Sequence, residues 1–130
     1  FIKDISFELP NVQAFIMLEK EISNYALNFD IKSKPYKDNI IEVNTVFKIS
    51  PNQNVKHKIL TVITGTALVS IEKNFDDKEE LEKIILIKIP TALYPTLYET
   101  FIYLFNQAGV KNVQVEKNVD FEKMYYERKK

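Results

Sequence analysis

The sequence has no cysteine, only two glycines and a single histidine, His57. The absence of cysteine excludes disulfides and thiolate metal sites, and it agrees with a reducing compartment. Two glycines are too few for a glycine-rich phosphate loop, and the common hydrolase and zinc-peptidase motifs do not occur. A lone histidine does not supply the converging groups that a metal site or acid–base catalysis needs. We therefore expect no enzyme activity, no cofactor and no metal.

Charge and hydropathy exclude two further classes. Eighteen basic residues balance eighteen acidic ones, whereas a nucleic-acid-binding domain usually carries a basic excess. The apolar runs, such as Ile84 to Ile87, are all too short to span a bilayer. The chain length is that of one domain, so we interpret residues 1–130 as a single domain with its own hydrophobic core.

One long segment has a clear helical period, from Ile89 to Gly109. Its apolar residues fill two adjacent rows of a helix: Leu93, Leu97, Phe101 and Phe105, and Tyr94, Tyr98 and Ile102. Proline is favourable only in a first helical turn, so Pro95 predicts that regular helix begins near Tyr94, after an irregular lead-in from Pro90 to Leu93. Gly109 predicts the end of the helix. Since one sheet covers one row, we expect Tyr98, Ile102 and Phe105 to contact another copy of the chain.

The first seventy residues alternate between apolar and polar positions, as strands do. Predicted strands cover Ile5 to Leu9, Tyr25 to Lys32, Ile41 to Ile49 and Val55 to Ile71, the last with a bend or bulge at Gly65. Ser33 to Asn39 and Ser50 to Asn54 have the composition of turns. The last three strands form an antiparallel meander with one core side and one exposed side.

The other segments give weaker signals. Val12 to Asn24 fits either a helix or an extended run, and we treat it as irregular. Asp76 and Asp77 can cap a short helix from Lys78 to about Ile85, followed by an extended exit. Asp120 can cap a final helix from Phe121 to Lys129. The sequence therefore predicts an α+β fold of three to four strands, with a long helix and a shorter C-terminal helix on one face.

Three stretches resemble the SecB family of bacterial protein-export chaperones. KDISFELPN, at Lys3 to Asn11, resembles that family's signature KDISFE-x-PN. The stretch Glu79 to Thr100 resembles its helix-entry pattern and keeps Leu81, Glu82, Pro90, Leu93, Pro95 and Glu99. NVDFEKMY, at Asn118 to Tyr125, resembles its P-V-N-F-D-x-L-F. The three lie in the right order over nearly the whole chain.

The resemblance implies a cytoplasmic, ATP-independent holdase that assembles as a dimer of dimers. Such a protein keeps unfolded preproteins from aggregating and delivers them to the SecA motor. It also implies that SecA contacts acidic residues of the first strand, here Asp4 and Glu8, which in the absence of a partner would be an ordinary solvated strand face. The family's acidic position on the exposed sheet corresponds to Thr61 or Val62 here, and the arginine of its helix signature to Tyr98.

A holdase needs exposed apolar surface that accepts many sequences. The residues available for such a groove are Leu27, Phe29, Ile31, Val113, Val115, Phe121, Met124 and Tyr125. The alternative for each of them is a place in the hydrophobic core. Two other functions stay open: a solitary SecB-like chaperone for one client, such as a toxin-paired antitoxin, or an interaction module without chaperone activity.

Overall fold

Four antiparallel strands form one sheet in the order β1-β4-β3-β2. The computed structural model describes residues 1–21, 25–51, 59–72, 75–110 and 115–129. The strands are β1 (Ile2–Glu8), β2 (Tyr25–Lys37), β3 (Ile40–Pro51) and β4 (Leu60–Ser70). Strands β2 to β4 form the predicted meander, and β1 pairs with β4 at the opposite edge from β2. The predicted α+β architecture is confirmed.

The two faces of the sheet differ in the way the alternation predicts. On the core face lie Val43, Thr45, Phe47, Ile49, Thr61 and Ile63, all buried, and the half-buried Leu27, Phe29, Ile31 and Phe7. On the opposite side, which we call the outer face, lie Asp4, Ser6, Glu8, Asp30, Lys32, Lys34, Glu42, Asn44, Lys48, Val62, Thr64 and Leu68. The helices cover the core face.

The hairpin between β2 and β3 is tighter than the sequence predicted. The predicted turn from Ser33 to Asn39 is wrong, because β2 continues to Lys37 and only Asp38 and Asn39 form the turn. Both have positive φ, +48° and +66°, as a two-residue hairpin turn requires, and both residue types tolerate that conformation. Pro35 fits within the strand because β2 is an edge strand, and a bulge at Tyr36 follows it.

Gly65 is needed for close packing. The predicted irregularity does occur opposite this glycine, but the extra residue is Lys3 of β1, between Ile2 (paired with Gly65) and Asp4 (paired with Thr64). A Cβ at Gly65 would lie 3.1 Å from Cδ2 of Leu97, which is fully buried. The glycine therefore lets the long helix lie directly on β4.

A helix follows β1 where the sequence left the structure undecided. Helix α1 spans Val12–Glu21, so the irregular interpretation of this segment is wrong for the residues described. The Asn11 side chain accepts a hydrogen bond from the Ala14 N–H at 2.8 Å, which caps the helix. Ala14 and Leu18, one turn apart, are both fully buried. Asn11 is thus the N-cap of α1.

The long helix begins much earlier than predicted. Helix α2 (Lys78–Lys83) leads through a π-helical turn (Ile84–Lys88) directly into α3 (Ile89–Gln107). The predicted extended exit and the irregular lead-in from Pro90 to Leu93 are therefore wrong. Asp77 caps α2 as predicted, accepting from the Glu80 N–H at 3.0 Å.

The two prolines explain the form of this helix. Pro90 has no N–H to donate and its ring would clash with the Leu86 carbonyl in a regular α-helix. The wider π turn relieves this conflict, and the Ile89 N–H donates to the Ile84 carbonyl five residues back. Pro95 lies inside α3 and not in its first turn. Because proline has no N–H, the carbonyl of Thr91 is left without a helical hydrogen bond. Both residues are exposed to solvent.

The core lies between the sheet and α3. Tyr94, Leu97, Phe101 and Phe105 form the buried row of the helix, with the Phe101 ring 5.5 Å from that of Phe47. Gly109, at φ +86°, ends the helix as predicted. Helix α4 (Phe121–Lys129) begins at Asp120, whose side chain accepts from the Lys123 N–H at 2.9 Å, which confirms the predicted cap.

Candidate functional site

An apolar groove runs between strand β2 and the helices beside it. An inner cavity of about 20 Å³ is lined by Phe29, Ile31, Leu86, Phe121, Met124, Tyr125 and Arg128. An outer cleft of about 270 Å³ is lined by Ile31, Ser33, Lys78, Leu81, Glu82, Ile85 and Leu86. Both share Ile31 and Leu86, so the two cavities adjoin, and we call them together the β2 groove.

Aromatic packing fixes the floor of the β2 groove. The Phe29 ring lies 5.4 Å from Phe47, 5.6 Å from Tyr94 and 5.1 Å from Phe121. Phe121 and Tyr125 are 2% and 4% exposed and belong to this floor. Phe29, Ile31, Leu86 and Met124 are only half-buried and remain open to a ligand. The groove therefore has a rigid aromatic base and adaptable aliphatic walls.

The predicted groove residues are brought together in part. Phe29, Ile31, Phe121, Met124 and Tyr125 line the groove. Leu27 and Val115 are half-buried against the core but do not line either cavity. Val113 lies outside the described residues.

The sequence interpretation missed the residues that α2 and the π turn contribute. Leu81, Ile85 and Leu86 line the β2 groove, and Arg128 lies beside the inner cavity. Leu81 and Ile85 are four residues apart, the helical spacing that could have revealed them. Interpreting the residues after Ile85 as an extended exit hid the place of Leu86 on the same continuous helix.

None of the apolar side chains of the π turn is fully buried. Ile84, Ile85, Leu86 and Ile87 are all half-buried, although they form a continuous apolar run on a helix. A helix that is apolar on every side normally lies deep inside a protein. The exposed part of this run is therefore surface suited to covering by an apolar ligand or partner.

Asp4 and Glu8 are exposed on the outer face of β1. They pair with Thr64 and Leu60 of β4 and, by the rise of a strand, lie about 13 Å apart. Of the two positions proposed for the acidic residue of the sheet, Val62 is on the outer face and Thr61 is buried on the core face. The outer face therefore carries an apolar side chain at Val62.

A polar cluster joins all four strands on the same face. The Glu42 carboxylate accepts from Asn44 Nδ2 at 2.7 Å and lies 3.4 Å from Lys3 Nζ and 3.6 Å from Lys34 Nζ. The Thr66 hydroxyl donates to Asn44 Oδ1 at 2.6 Å. The hydrogen bond from Asn44, together with the two lysines, lowers the pKa of Glu42. This cluster ties edge strand β1 to edge strand β2.

The three residues predicted to contact another subunit differ in their burial. Phe105 is 1% exposed and packs against Phe7 and Phe101, with ring distances of 5.3 Å and 4.2 Å. Its assignment to an interface is therefore wrong, because the side chain is already buried in its own core. Tyr98 and Ile102 are half-buried on the flank of α3 and keep their place as interface candidates.

The described residues contain neither a metal-binding cluster nor a membrane-spanning helix. No three of their His, Asp or Glu side chains come together in a way that could hold a metal ion. His57 and its flanking lysines lie outside the described residues. In the same part of the chain, no helix is both long and apolar enough to cross a membrane.

Comparisons with known proteins settle the family. A family model described as "Preprotein translocase subunit SecB" matches residues 1–130. The chain belongs to the SecB family. It is 40% identical over 128 residues to the "Putative protein-export protein SecB" of Pelagibacter ubique, covering 98% of this chain and 91% of that protein.

More distant relatives carry the same name. The "Protein-export protein SecB" of Burkholderia vietnamiensis is 26% identical over 129 residues, covering 98% of this chain and 78% of that protein. That of a Janthinobacterium species is 28% identical, with 98% and 76% covered. The resemblance of the three sequence stretches is thereby confirmed, and the chain is a SecB-type export chaperone.

Proposed function

We propose that this protein is an ATP-independent holdase, acting in the cytoplasm, that binds unfolded preproteins in the β2 groove. The observation that carries this proposal is that two largely apolar cavities adjoin beside β2, where Ile31 and Leu86 line both the inner cavity and the outer cleft. An open, largely apolar surface of this kind is suited to contact with the side chains of an unfolded chain.

The energetics suit weak, tolerant binding. Burial of apolar surface contributes about 25 cal/mol per Å², from which the cost of ordering the client must be subtracted. Met124 and the aliphatic side chains of the π turn can adjust to different client side chains. Affinity therefore depends on how much apolar surface a client offers, and neither nucleotide nor catalysis is required.

We further propose that Asp4 and Glu8 dock the SecA motor. Both are exposed on the outer face, on the side of the sheet opposite to the β2 groove. A client and the motor could then be held at the same time. Carboxylates about 13 Å apart on a strand would contact a basic surface that lies along β1.

We also propose that the protein is a homo-oligomer, assembled as a dimer of dimers. Tyr98 and Ile102 on α3 would contact a second protomer, because their side chains are apolar and only half covered.

A chaperone dedicated to one client is the second candidate. Its support is the charge of the outer face, where lysines offset the carboxylates: Lys3, Lys32, Lys34 and Lys48 against Asp4, Glu8, Asp30 and Glu42. With Val62 at the sheet position, this face is a weaker acidic surface than a motor would use.

Suppression of aggregation tests the proposed function. Stoichiometric protein should prevent light scattering by several unrelated unfolded substrates, without added nucleotide. Protection of one natural client alone would favour the dedicated chaperone. Protection of none would leave only an interaction module.

A further inference from the structure

A single charged side chain lies among the apolar walls of the inner cavity. Among the described residues that line this cavity, Arg128 alone is charged, and the other six are apolar or aromatic. Arg128 follows Met124 by four residues and Tyr125 by three, so the three share the face of α4 that is turned toward the groove. Tyr125 is buried and Met124 half-buried, whereas Arg128 is exposed. Arg128 therefore lies at the mouth of the cavity.

The inner cavity has space for the end of one side chain only. Its volume of about 20 Å³ holds roughly one methyl-sized group. Because the walls include Phe29, Ile31, Leu86 and Phe121, an apolar group is favoured there over water. A client would insert the tip of one apolar side chain, and the residues next to it in the client would then lie at the mouth, beside Arg128.

No carboxylate of the described residues forms an ion pair with Arg128. The ion pairs between those residues all use lysines: Lys3 and Lys34 with Glu42, Lys32 with Asp30, Lys83 with Glu79, and Lys88 with Glu80. On α4 itself, Glu122 and Glu127 are not at the spacing of three or four residues at which helix side chains meet Arg128. Within the described part of the β2 groove, the one carboxylate is that of Glu82, which lines the outer cleft and not the inner cavity.

A guanidinium in this position is suited to a carboxylate of the client. Its planar set of N–H donors matches the two oxygens of a carboxylate. The apolar surroundings lower the local dielectric, which strengthens such a pair compared with one in open water. Aspartate and glutamate offer this group at many positions of an unfolded chain, whereas a chain terminus offers it only once.

We propose that Arg128 makes the β2 groove prefer client segments in which an aspartate or glutamate lies next to the apolar residue that enters the inner cavity. This inference rests on the proposed function and specifies which segments its site prefers. Apolar contacts supply the affinity that all clients share, and the arginine discriminates between segments of equal hydrophobicity.

A cycle of changes in the protein and in a peptide tests this. The parent is a leucine-rich peptide with one central aspartate and both ends blocked, and its partner has asparagine in place of the aspartate. Fluorescence anisotropy would measure the binding of both to the wild type and to Arg128→Gln. We expect the wild type to bind the aspartate peptide about fivefold more tightly than the asparagine peptide, and Arg128→Gln to bind the two equally. An equal preference in wild type and variant would overturn the proposal.

Lys123→Gln is the matched control. It removes the same charge from an exposed position of α4 that lines neither cavity of the groove. We expect this variant to keep the preference for the aspartate peptide, and we expect added salt to reduce that preference in the wild type. Loss of the preference in both variants would show that it reflects net charge. A basic residue in a last helical turn can also stabilise the helix. Reduced helix content by circular dichroism, with equal loss of affinity for both peptides, would assign Arg128 that role instead.

Two further peptides make the test specific. Arg128→Glu should prefer a peptide with a central lysine about fivefold over the aspartate peptide, which is the reverse of the wild type. A folded Arg128→Glu variant without this reversal would count against a contact at the mouth of the cavity. The asparagine peptide with a free C-terminal carboxylate should bind no better than its blocked form. A gain that depends on Arg128 would assign recognition to chain ends and contradict the proposal.

The outcomes separate this inference from the proposed function. A wild type that suppresses aggregation and binds the aspartate and asparagine peptides equally is a holdase without this selectivity. A protein that binds neither peptides nor unfolded proteins fails on both counts.

Discussion

The hydroxyl of Tyr94 donates a hydrogen bond to the backbone carbonyl of Glu116, which ties helix α3 to the segment that leads into α4. The same ring lies 5.6 Å from Phe29 and 6.1 Å from Phe121, beneath the floor of the β2 groove. A single side chain therefore links the sheet, the long helix and the C-terminal segment.

Replacing Tyr94 by phenylalanine should loosen this link without emptying the core. The ring is retained, and the loss of one hydrogen bond should lower the free energy of unfolding by about 1 kcal/mol. Guanidinium unfolding at neutral pH measures the difference. An unchanged unfolding midpoint would show that the bond contributes no net stability.

The same residue makes stability depend on alkaline pH. Burial raises the pKa of Tyr94 from 10.0 to about 12, so the folded state favours the neutral phenol. The contribution of the neutral Tyr94 phenol to the stability of the fold is complete below pH 10 and is lost as the pH rises toward 12. The difference in stability between wild type and Tyr94→Phe should accordingly shrink over that range, and a constant difference would contradict this assignment.

Glu42→Gln should lower the stability of the protein at neutral pH, and the variant should lose less stability than the wild type when the pH is lowered. Since the pKa of Glu42 lies below its ordinary value of 4.5, the carboxylate stabilises the fold above that value. The contribution disappears as the pH falls through the lowered pKa. Urea unfolding at pH 7 and near pH 3 tests this, with Glu8→Gln, on the same face but exposed, as the control. A wild type and a Gln variant that lose stability in parallel would refute the role of the cluster.

Ile102→Glu should weaken self-association. A charge on the flank of α3 would have to be buried against the second protomer, so we expect dissociation at concentrations where the wild type is assembled. Light scattering after size exclusion reports the mass. Thr96→Glu, an exposed position of the same helix, should leave it unchanged. A monomeric wild type, or an assembly indifferent to Ile102→Glu, would exclude this interface.

Neutralising Asp4 and Glu8 together should weaken binding to SecA by about tenfold at low salt, and the variant should lose less affinity than the wild type as salt rises. Asp4→Asn with Glu8→Gln keeps the size of both side chains. The control is Asp30→Asn, which removes a carboxylate from the other edge of the outer face. Equal loss in variant and control would mean that SecA responds to overall charge and not to this strip.

The strands were predictable because each has one face toward the core and one face toward solvent. In β3 the buried Val43, Thr45, Phe47 and Ile49 alternate with polar or half-buried residues, so period and burial coincide. The extent of β2 was harder to predict, because Pro35 and the lysines around it resemble a turn. They are tolerated in a strand only because β2 lies at the edge of the sheet, which is a property of the topology.

The extent of the long helix was not predictable from the sequence. Pro95 was interpreted as a first-turn proline and Pro90 as part of an irregular lead-in. The π turn and an exposed helix face accommodate both inside one long helix, and neither feature has a clear sequence signal. Phe105 was assigned to an interface although it belongs to the core, because two neighbouring rows of α3 are both apolar. The missed contribution of Leu86 to the groove follows from the missed continuity of the helix.

Direct binding of a permanently unfolded protein tests the central claim most sharply. Met124→Glu places a charge in the wall of the β2 groove, and Leu68→Glu places the same charge on the outer face, where the leucine is 56% exposed. Titration calorimetry should show affinity reduced by about tenfold or more for Met124→Glu and unchanged for Leu68→Glu. Unchanged affinity in a folded Met124→Glu variant, or equal loss in both, would contradict the assignment of client binding to this groove.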